Sequence, residues 1–488
     1  MSRNIPVTER VADGLPLGSP EDAAARIGDE DTLVLSGFGR AGYPKDVPLA
    51  LAASERDLSL TVISGGSVGS EVDTALVEAG AIKRRFPYQA TPEARSAVNE
   101  GAIAFHDRHI SRLGDEVTFG HYGTPDVALV EAVAVGPDWL IPTTSVGHTP
   151  EYIHSASRLI VEVNDAQPLE LQLLHDVYSR TPPPNREPIP LPGPGDRIGS
   201  SRIKFDPEKL EMVVRTDSPD KSYTFREPTE TDRRIAHNLA TFLADEVERN
   251  PMFASAVNLQ FGVGSLGNAL MSAFNDVEFG DRTVAYYGEV IQDGLLDMID
   301  DDKLVSASAA SLALSRDGQE RLFADVERYA ERVIVRNAAV SNNPSLIDRF
   351  GVIGVNSALE VDLYGHVNST HIAGTHVANG IGGSGDFTRN SGLGVIALGS
   401  TAKDGAIPRI VPMVPHVDHT EHDFSIVVTE QGVADLRGLS PRERAEVMIS
   451  ECAHPSFRDD LRAYLNRADS RGGHIPHDLA TVFDWYLD

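Results

Sequence analysis

Only one cysteine, Cys452, occurs in this chain of 488 residues. A lone thiol closes no internal disulfide and builds no thiolate metal cage, so a reducing, cytoplasmic setting is expected. Lysine is scarce too: seven residues against 36 arginines, within a formal net charge of −29. The acid excess is spread along the whole chain and leaves no basic patch, so no nucleic-acid partner is expected. An acidic, lysine-poor chain points to a salt-rich (halophilic) cytoplasm, where a short Debye length screens self-repulsion, or simply to an acidic cytosolic enzyme. No apolar run reaches the ~20 residues that span a bilayer, so no membrane partner is expected. The stretch Met1–Gly14 is charged and has no apolar stretch of the secretory kind, so no leader is expected there.

What remains is ordinary globular material: 41% apolar and 24% charged residues. The length exceeds what one core can serve and predicts two or three domains. In the first half, Asp31–Ser36 and Leu58–Ile63 read as buried strands, closed by Gly37-Phe38-Gly39 and Ser64-Gly65-Gly66. Pro44–Ala53 reads as a helix, Val127–Val135 as an apolar helix, and Trp139–Pro142 and Leu159–Val163 as strands. Strands alternating with helices predict an α/β fold with mostly parallel sheets. The Pro/Gly-rich stretch 181–195 reads as an extended connector, followed by a polar stretch to about residue 226. Thr229 and Asp232 then form a capping-box pattern ahead of Ile235, Leu239, Phe242, Leu243 and Val247 at helical spacing. The expected domains are therefore 1–225 and 226–488. The second half repeats the order strand, Gly-rich turn, helix, strand, which suggests two related α/β halves.

Four constellations could carry chemistry. Gly262-Val263-Gly264-Ser265-Leu266-Gly267 lies between a strand and a helix, where backbone N–H groups can approach a phosphate. Tight strand–helix packing without a ligand explains the same glycines equally well. Glu289 follows the strand Thr283–Tyr287 and Gly288, where open α/β sheets present their ligand crevice. Flanked by Tyr287, Val290 and Ile291, it would be a weakly hydrated carboxylate and a better nucleophile; a ribose contact or a charge at a helix start are the plainer alternatives. Asn379–Phe387 holds four glycines, whose amides can aim at a developing oxyanion. Ile381 and Phe387 argue that this loop packs and is not merely flexible. His416, Asp418, His419 and His422 resemble a metal set, but Pro412 and Pro415 precede them, and a supporting polar turn is the preferred reading. Lys403, one of the few lysines, sits in a Gly-containing turn and could face a phosphate or only solvent.

At Gly288-Glu289-Val290-Ile291-Gln292-Asp293-Gly294 the chain resembles the acetyl-CoA hydrolase/transferase family, and within it the succinyl-CoA:acetate CoA-transferase and acetyl-CoA hydrolase branch. The likeness continues through Ser36–Phe38, Ala41–Lys45, Gly262–Asn268, Ser341–Pro344, Asn356–Asn368, Asn379–Phe387, His416–His422, Thr429–Gly432 and Leu436–Pro441. It runs in order over nearly the whole chain; only the Pro-rich 181–195 segment finds no counterpart. The resemblance implies two related open α/β domains of the CoA-transferase type, with the nucleophile on the second. Glu289 would match the glutamate that forms a glutamyl-CoA thioester, and Asn342 an active-site asparagine beside it. Gly262, Val263, Gly264, Ser265 and Leu266 would match a CoA-contacting turn; Asn379, Gly383 and Lys403 would match further CoA contacts, and the Gly382 and Gly383 amides would suit the oxyanion. It further implies coenzyme A as substrate with no permanent cofactor or metal, acyl-CoA and small carboxylates as partners, and a homodimer. Transferase is expected over hydrolase because no catalytic His–acid pair is evident for activating water. Two other classes stay open: a non-catalytic CoA-binding protein, which loss of the nucleophile would have marked, and a metal-dependent hydrolase built on His416, Asp418, His419 and His422.

Overall fold

The computed structural model describes residues 7–221, 223–275 and 277–486. The first six residues, on which part of the leader expectation rested, lie outside these. The chain divides into two compact units: 1–224 with 286–346, and 225–285 with 347–488. The expected partition assigned Glu289 to the C-terminal domain. In the structure the chain crosses between units inside the strand Thr283–Tyr287, and the segment that follows packs with the N-terminal unit.

In the first unit, eight strands run in the order Leu17–Gly18, Leu210–Thr216, Arg158–Asn164, Val127–Val135, Thr32–Leu35, Leu60–Ser64, Ile82–Phe86, Ala104–Phe105. Every neighbouring pair on this path is parallel. Val127–Val135, expected as a helix, is the central strand, and all nine residues are buried. It lies between two parallel neighbours with both faces covered, and such strands are apolar throughout, so periodicity could not separate strand from helix. The polar stretch before 226 contains the strand Leu210–Thr216, so the Pro-rich 181–195 segment is a loop within the first unit.

A buried charge network holds this unit. Lys45 Nζ lies 2.5 Å from Glu131 Oε2 and 2.9 Å from Asp220 Oδ1. Glu162 accepts the N–H groups of Lys45 and Val47 at 2.8 and 2.6 Å, capping the helix Asp46–Ala52 across 115 residues of sequence. One ammonium facing several buried carboxylates cannot offset all of them, and burial pushes Glu131 up to about 8.

In the second unit, the strands Ala256–Phe261, Ile353–Ser357, Leu393–Ala397 and Ile426–Val428 pair in parallel, and Val433–Asp435 adds an antiparallel edge. The helix Glu230–Arg249 starts at the predicted Thr229–Asp232 capping box and buries Ile235, Leu239, Leu243 and Val247. Arg437 grips the helix with a two-pronged contact to the buried Glu246, at 2.6 and 2.9 Å. Cys452 is buried here, its thiol pushed up to about 12 by burial, which leaves it unreactive at neutral pH. Among the described residues, no helix is long and apolar enough to cross a membrane.

Candidate active site

The strand Thr283–Tyr287 delivers Gly288 and Glu289 to its carboxyl end. Glycine is required at 288 because a Cβ there would run into the Tyr286 hydroxyl. Glu289 is half-buried, while Tyr286, Tyr287, Val290 and Ile291 around it are fully buried, as the apolar flanks predicted. Its backbone carbonyl accepts from the N–H groups of Ala310 and Ser311 at 2.8 and 3.2 Å. The next two residues pair in parallel with Ser311–Leu312. Behind that strand, the Val146 N–H donates to Ala310 O and the Leu312 N–H to Thr144 O, at 3.0 and 2.9 Å. Phe38, Ile110, Val290, Ala310, Ala313 and Ala338 form an apolar cluster beside the carboxylate. The nearby His148 is buried and pushed down to about 4, so it stands neutral there.

The side chain is aimed by Asn342, whose Nδ2 donates to Glu289 Oε1 at 2.8 Å. Asn342 is fully buried at the end of the short helix Ala338–Ser341. The Tyr287 hydroxyl donates to the Val340 carbonyl in that helix, tying the asparagine's support to the strand that carries Glu289. Tyr287 therefore serves the site in a way that spacing did not reveal, since the two partners lie 53 residues apart. An amide N–H fixed on one carboxylate oxygen orients the group and stays in place to steady charge as a carbonyl there is attacked.

The remaining predicted residues lie in the second unit. Gly262 donates its N–H to Val355 O at 3.0 Å, Val263 is exposed, and Gly264 has φ +134°. Ser265 opens the helix Ser265–Asn275, and Leu266 joins the turn, Val355–Ser357 and Ala397 in lining a small concavity. The loop at 379–382 is partly buried, and Phe387, which follows it, is buried. The Ala378 and Asn379 N–H groups both donate to Thr370 O, and Asn379 Nδ2 donates to Ser369 O. Gly382 has φ +57° with open space where a side chain would stand; Gly383 precedes the helix Ser384–Asn390 and is buried. Lys403, at φ +48°, projects from the tip of the hairpin formed by Thr401–Ala402 and Ile407–Pro408.

His416, Asp418, His419 and His422 do not converge. His419 Nε2 meets Ser384 Oγ at 2.8 Å, His416 meets Asp418 at 3.1 Å, and His422 meets Glu421 at 3.2 Å. Asp418 accepts from the Ser369 N–H and the Thr370 hydroxyl, at 2.6 and 2.9 Å. This turn therefore props the segment on which the glycine loop hangs. Among the described residues, no group of three or more His, Cys, Asp or Glu side chains could hold a metal ion. A His–acid contact of another kind does occur: His366 lies 3.1 Å from Asp362 and 2.8 Å from Glu421. With a carboxylate on each ring nitrogen, foremost Asp362, which accepts from Nδ1, the His366 pKa is raised and the ring is held in place by both acids.

Comparison with known proteins matches residues 16–214 to the acetyl-CoA hydrolase/transferase N-terminal domain and residues 318–465 to the C-terminal domain. A succinyl-CoA:acetate CoA-transferase of Clostridium kluyveri is 40% identical, over 99% of this chain and 90% of the relative. A propanoyl-CoA:succinate CoA transferase of Escherichia coli is 38% identical over 95% of both chains. An acetyl-CoA hydrolase of Neurospora crassa is 38% identical, over 96% of this chain and 93% of the relative. Among solved structures, RipA from Yersinia pestis shares the fold at TM-score 0.71 and 22% identity, over 93% of this chain and 97% of that one. A putative citrate lyase alpha subunit from Streptococcus mutans shares it at TM-score 0.66 and 16% identity, over 95% and 87%.

Proposed function

The chain belongs to the acetyl-CoA hydrolase/transferase family, and from that premise we propose that it moves coenzyme A between short-chain acyl-CoA and free carboxylates through a thioester on Glu289. Acetyl-, succinyl- and propionyl-CoA are the donors proposed, by analogy with the names of the relatives. The observation that carries the reading is the hydrogen bond from buried Asn342 to the Glu289 carboxylate, beside a wall of apolar side chains.

In the proposed cycle a Glu289 oxygen attacks the thioester carbonyl. The Asn342 amide and the Gly382 and Gly383 N–H groups steady the oxyanion; one such donor contributes about 3 kcal/mol. The C–S bond breaks, CoA leaves as thiolate, and an acyl–glutamyl anhydride remains. The thiolate then attacks the Glu289 carbonyl carbon, the first carboxylate departs, and glutamyl-CoA is left. An incoming carboxylate reverses these steps and leaves as the new acyl-CoA. Thioester energy is conserved throughout, so the cycle calls for no ATP, metal or resident cofactor. Gly262, Val263, Gly264, Ser265, Leu266, Asn379 and Lys403 are assigned to the CoA itself. Hydrolysis is the same chemistry with water admitted to the glutamyl thioester. A homodimer in a salt-rich cytoplasm completes the reading, supported by the family and by the acidic, lysine-poor composition.

The test is intact-mass measurement after mixing with acetyl-CoA, with and without borohydride. A CoA-sized adduct on the Glu289 peptide, removed by borohydride, is expected. Glu289→Ala should lose the adduct and at least about a thousandfold of turnover. Steady CoA release without an adduct would replace transfer by direct hydrolysis, and neither adduct nor release would sink the enzymatic reading.

A further inference from the structure

A cavity of about 490 Å³ opens in the first unit, lined by Thr61, Arg84, Phe86, His106, Arg108, Glu116, His121 and Tyr122. None of these residues belongs to the site described above. Thr61 and Arg84 are cross-strand partners, and Phe86 lies two residues beyond Arg84 on the same face. Thr61 stands near the start of the strand Leu60–Ser64, whereas Gly65 and Gly66, past its far end, approach Gly37 and Phe38. Phe86 closes the strand Ile82–Phe86 and His106 follows the strand Ala104–Phe105, so most of the lining lies at the carboxyl ends of the two outermost strands of this sheet.

Its charge balance is unlike that of the rest of the molecule. Glu116 is the one carboxylate in the lining, and it is already engaged. Arg108 Nε donates to Glu116 Oε2 at 2.9 Å, a second Arg108 nitrogen donates to Oε1, and the Tyr122 hydroxyl donates to Oε2 at 2.7 Å. Among the described residues, the exposed side chains of Arg84 and His121 make no ion pair or hydrogen bond, although His121 acts on Glu116 through space; the exposed His106 packs against the Phe86 and Tyr122 rings, with Arg108 and Glu116 acting on it through space. This occurs in a chain of net charge −29, where neighbouring arginines are paired: Arg85 with Asp73, Arg186 with Asp115. The apolar side of the cavity is aromatic. Phe86 and Tyr122 stack at 5.2 Å between centroids, and His106 meets Phe86 edge-on at 5.6 Å.

We propose that this cavity binds a nucleoside diphosphate, with the phosphates on Arg84, His106 and His121 and the base against the Phe86–Tyr122 wall. Guanidinium and imidazole donors converging from separate elements suit a tetrahedral oxyanion, and a flat base suits ring faces and edges. The volume fits a small molecule and excludes a polymer. The inference does not depend on Glu289 chemistry.

Titration calorimetry of ADP into the full-length protein tests it. CoA also carries a nucleotide, so the titration is repeated on Lys403→Ala, which disturbs the proposed CoA contact. ADP should bind both proteins. Arg84→Ala should weaken that binding at least tenfold in either background and leave the melting temperature unchanged, and Arg84→Lys should recover part of it. Pyrophosphate should bind more weakly than ADP; equal affinity would overturn the role of the aromatic wall. Absence of ADP binding, or binding abolished by Lys403→Ala and indifferent to Arg84→Ala, would overturn the site.

Discussion

Two turns of the same local grammar have opposite surroundings. After the strand Thr32–Leu35, the segment Gly37–Gly42 is filled by its own protein. A Cβ on Gly37 would stand 2.6 Å from Tyr43 Cβ, and one on Gly42 would stand 2.8 Å from the Ser145 backbone nitrogen. After the strand Ala256–Phe261, the turn Gly262–Gly264 is open. A Cβ on Gly262 meets nothing nearer than Val355 O at 3.9 Å, and one on Gly264 meets nothing within 4 Å. The first set of glycines serves close packing of backbone on backbone, while the second leaves room where a ligand can approach. The lesson is that a glycine-rich turn after a strand reports a close approach without saying whether protein or ligand makes it.

Substitution can break this contrast. The largest effect is expected from Gly42→Ala, which combines φ +65° with the collision at Ser145. A loss of about 3 kcal/mol in urea unfolding is expected, and an unchanged midpoint would show that the first turn is not packed as described. Glu246→Gln asks what keeps the second unit firm around its open turn. Arg437 foremost, then Asn250 and Arg249, hold the Glu246 carboxylate down at about 2. Because that value lies below the ordinary carboxylate range, its stabilisation is complete above that range and fades as pH falls toward 2. The variant should lose about 2 kcal/mol at pH 7 and show a shallower acid dependence; parallel acid curves would refute the clamp. The smallest change in stability is expected from Gly262→Ala, within about 0.5 kcal/mol of wild type. Its effect belongs to function: the KM for acyl-CoA should rise about tenfold, and a protein that melts early with unaltered KM would reverse the contrast between the turns.

The features legible before folding were those whose causes are local. The capping box at Thr229 needs only residues three apart, and it stands where it was read. The strand that ends at Gly288 and the apolar flanks of Glu289 follow from composition over a few residues. Val127–Val135 failed for a definite reason: a segment buried on every side carries no periodicity to read. The Pro-rich stretch does not end the first unit, because the chain returns to the first sheet afterwards through Leu210–Thr216. The site itself was half legible. Candidate residues could be named one by one, but the Asn342–Glu289 hydrogen bond spans 53 positions and the Tyr287 support for it had no signal at all.

By itself the sequence determined the chemical stock of this protein: a carboxylate at 289 among apolar residues, glycines at the strand ends, too few thiols for disulfides, and an acid excess that repels polyanions. Those properties belong to single residues and short spans, so they survive in any conformation. Tertiary structure alone decided that Asn342 reaches Glu289, that one glycine turn is filled and another open, and that Arg84, His106 and His121 share a cavity. Each of these depends on backbone segments far apart in the chain being fixed to within an ångström by packing, and no local preference encodes that distance.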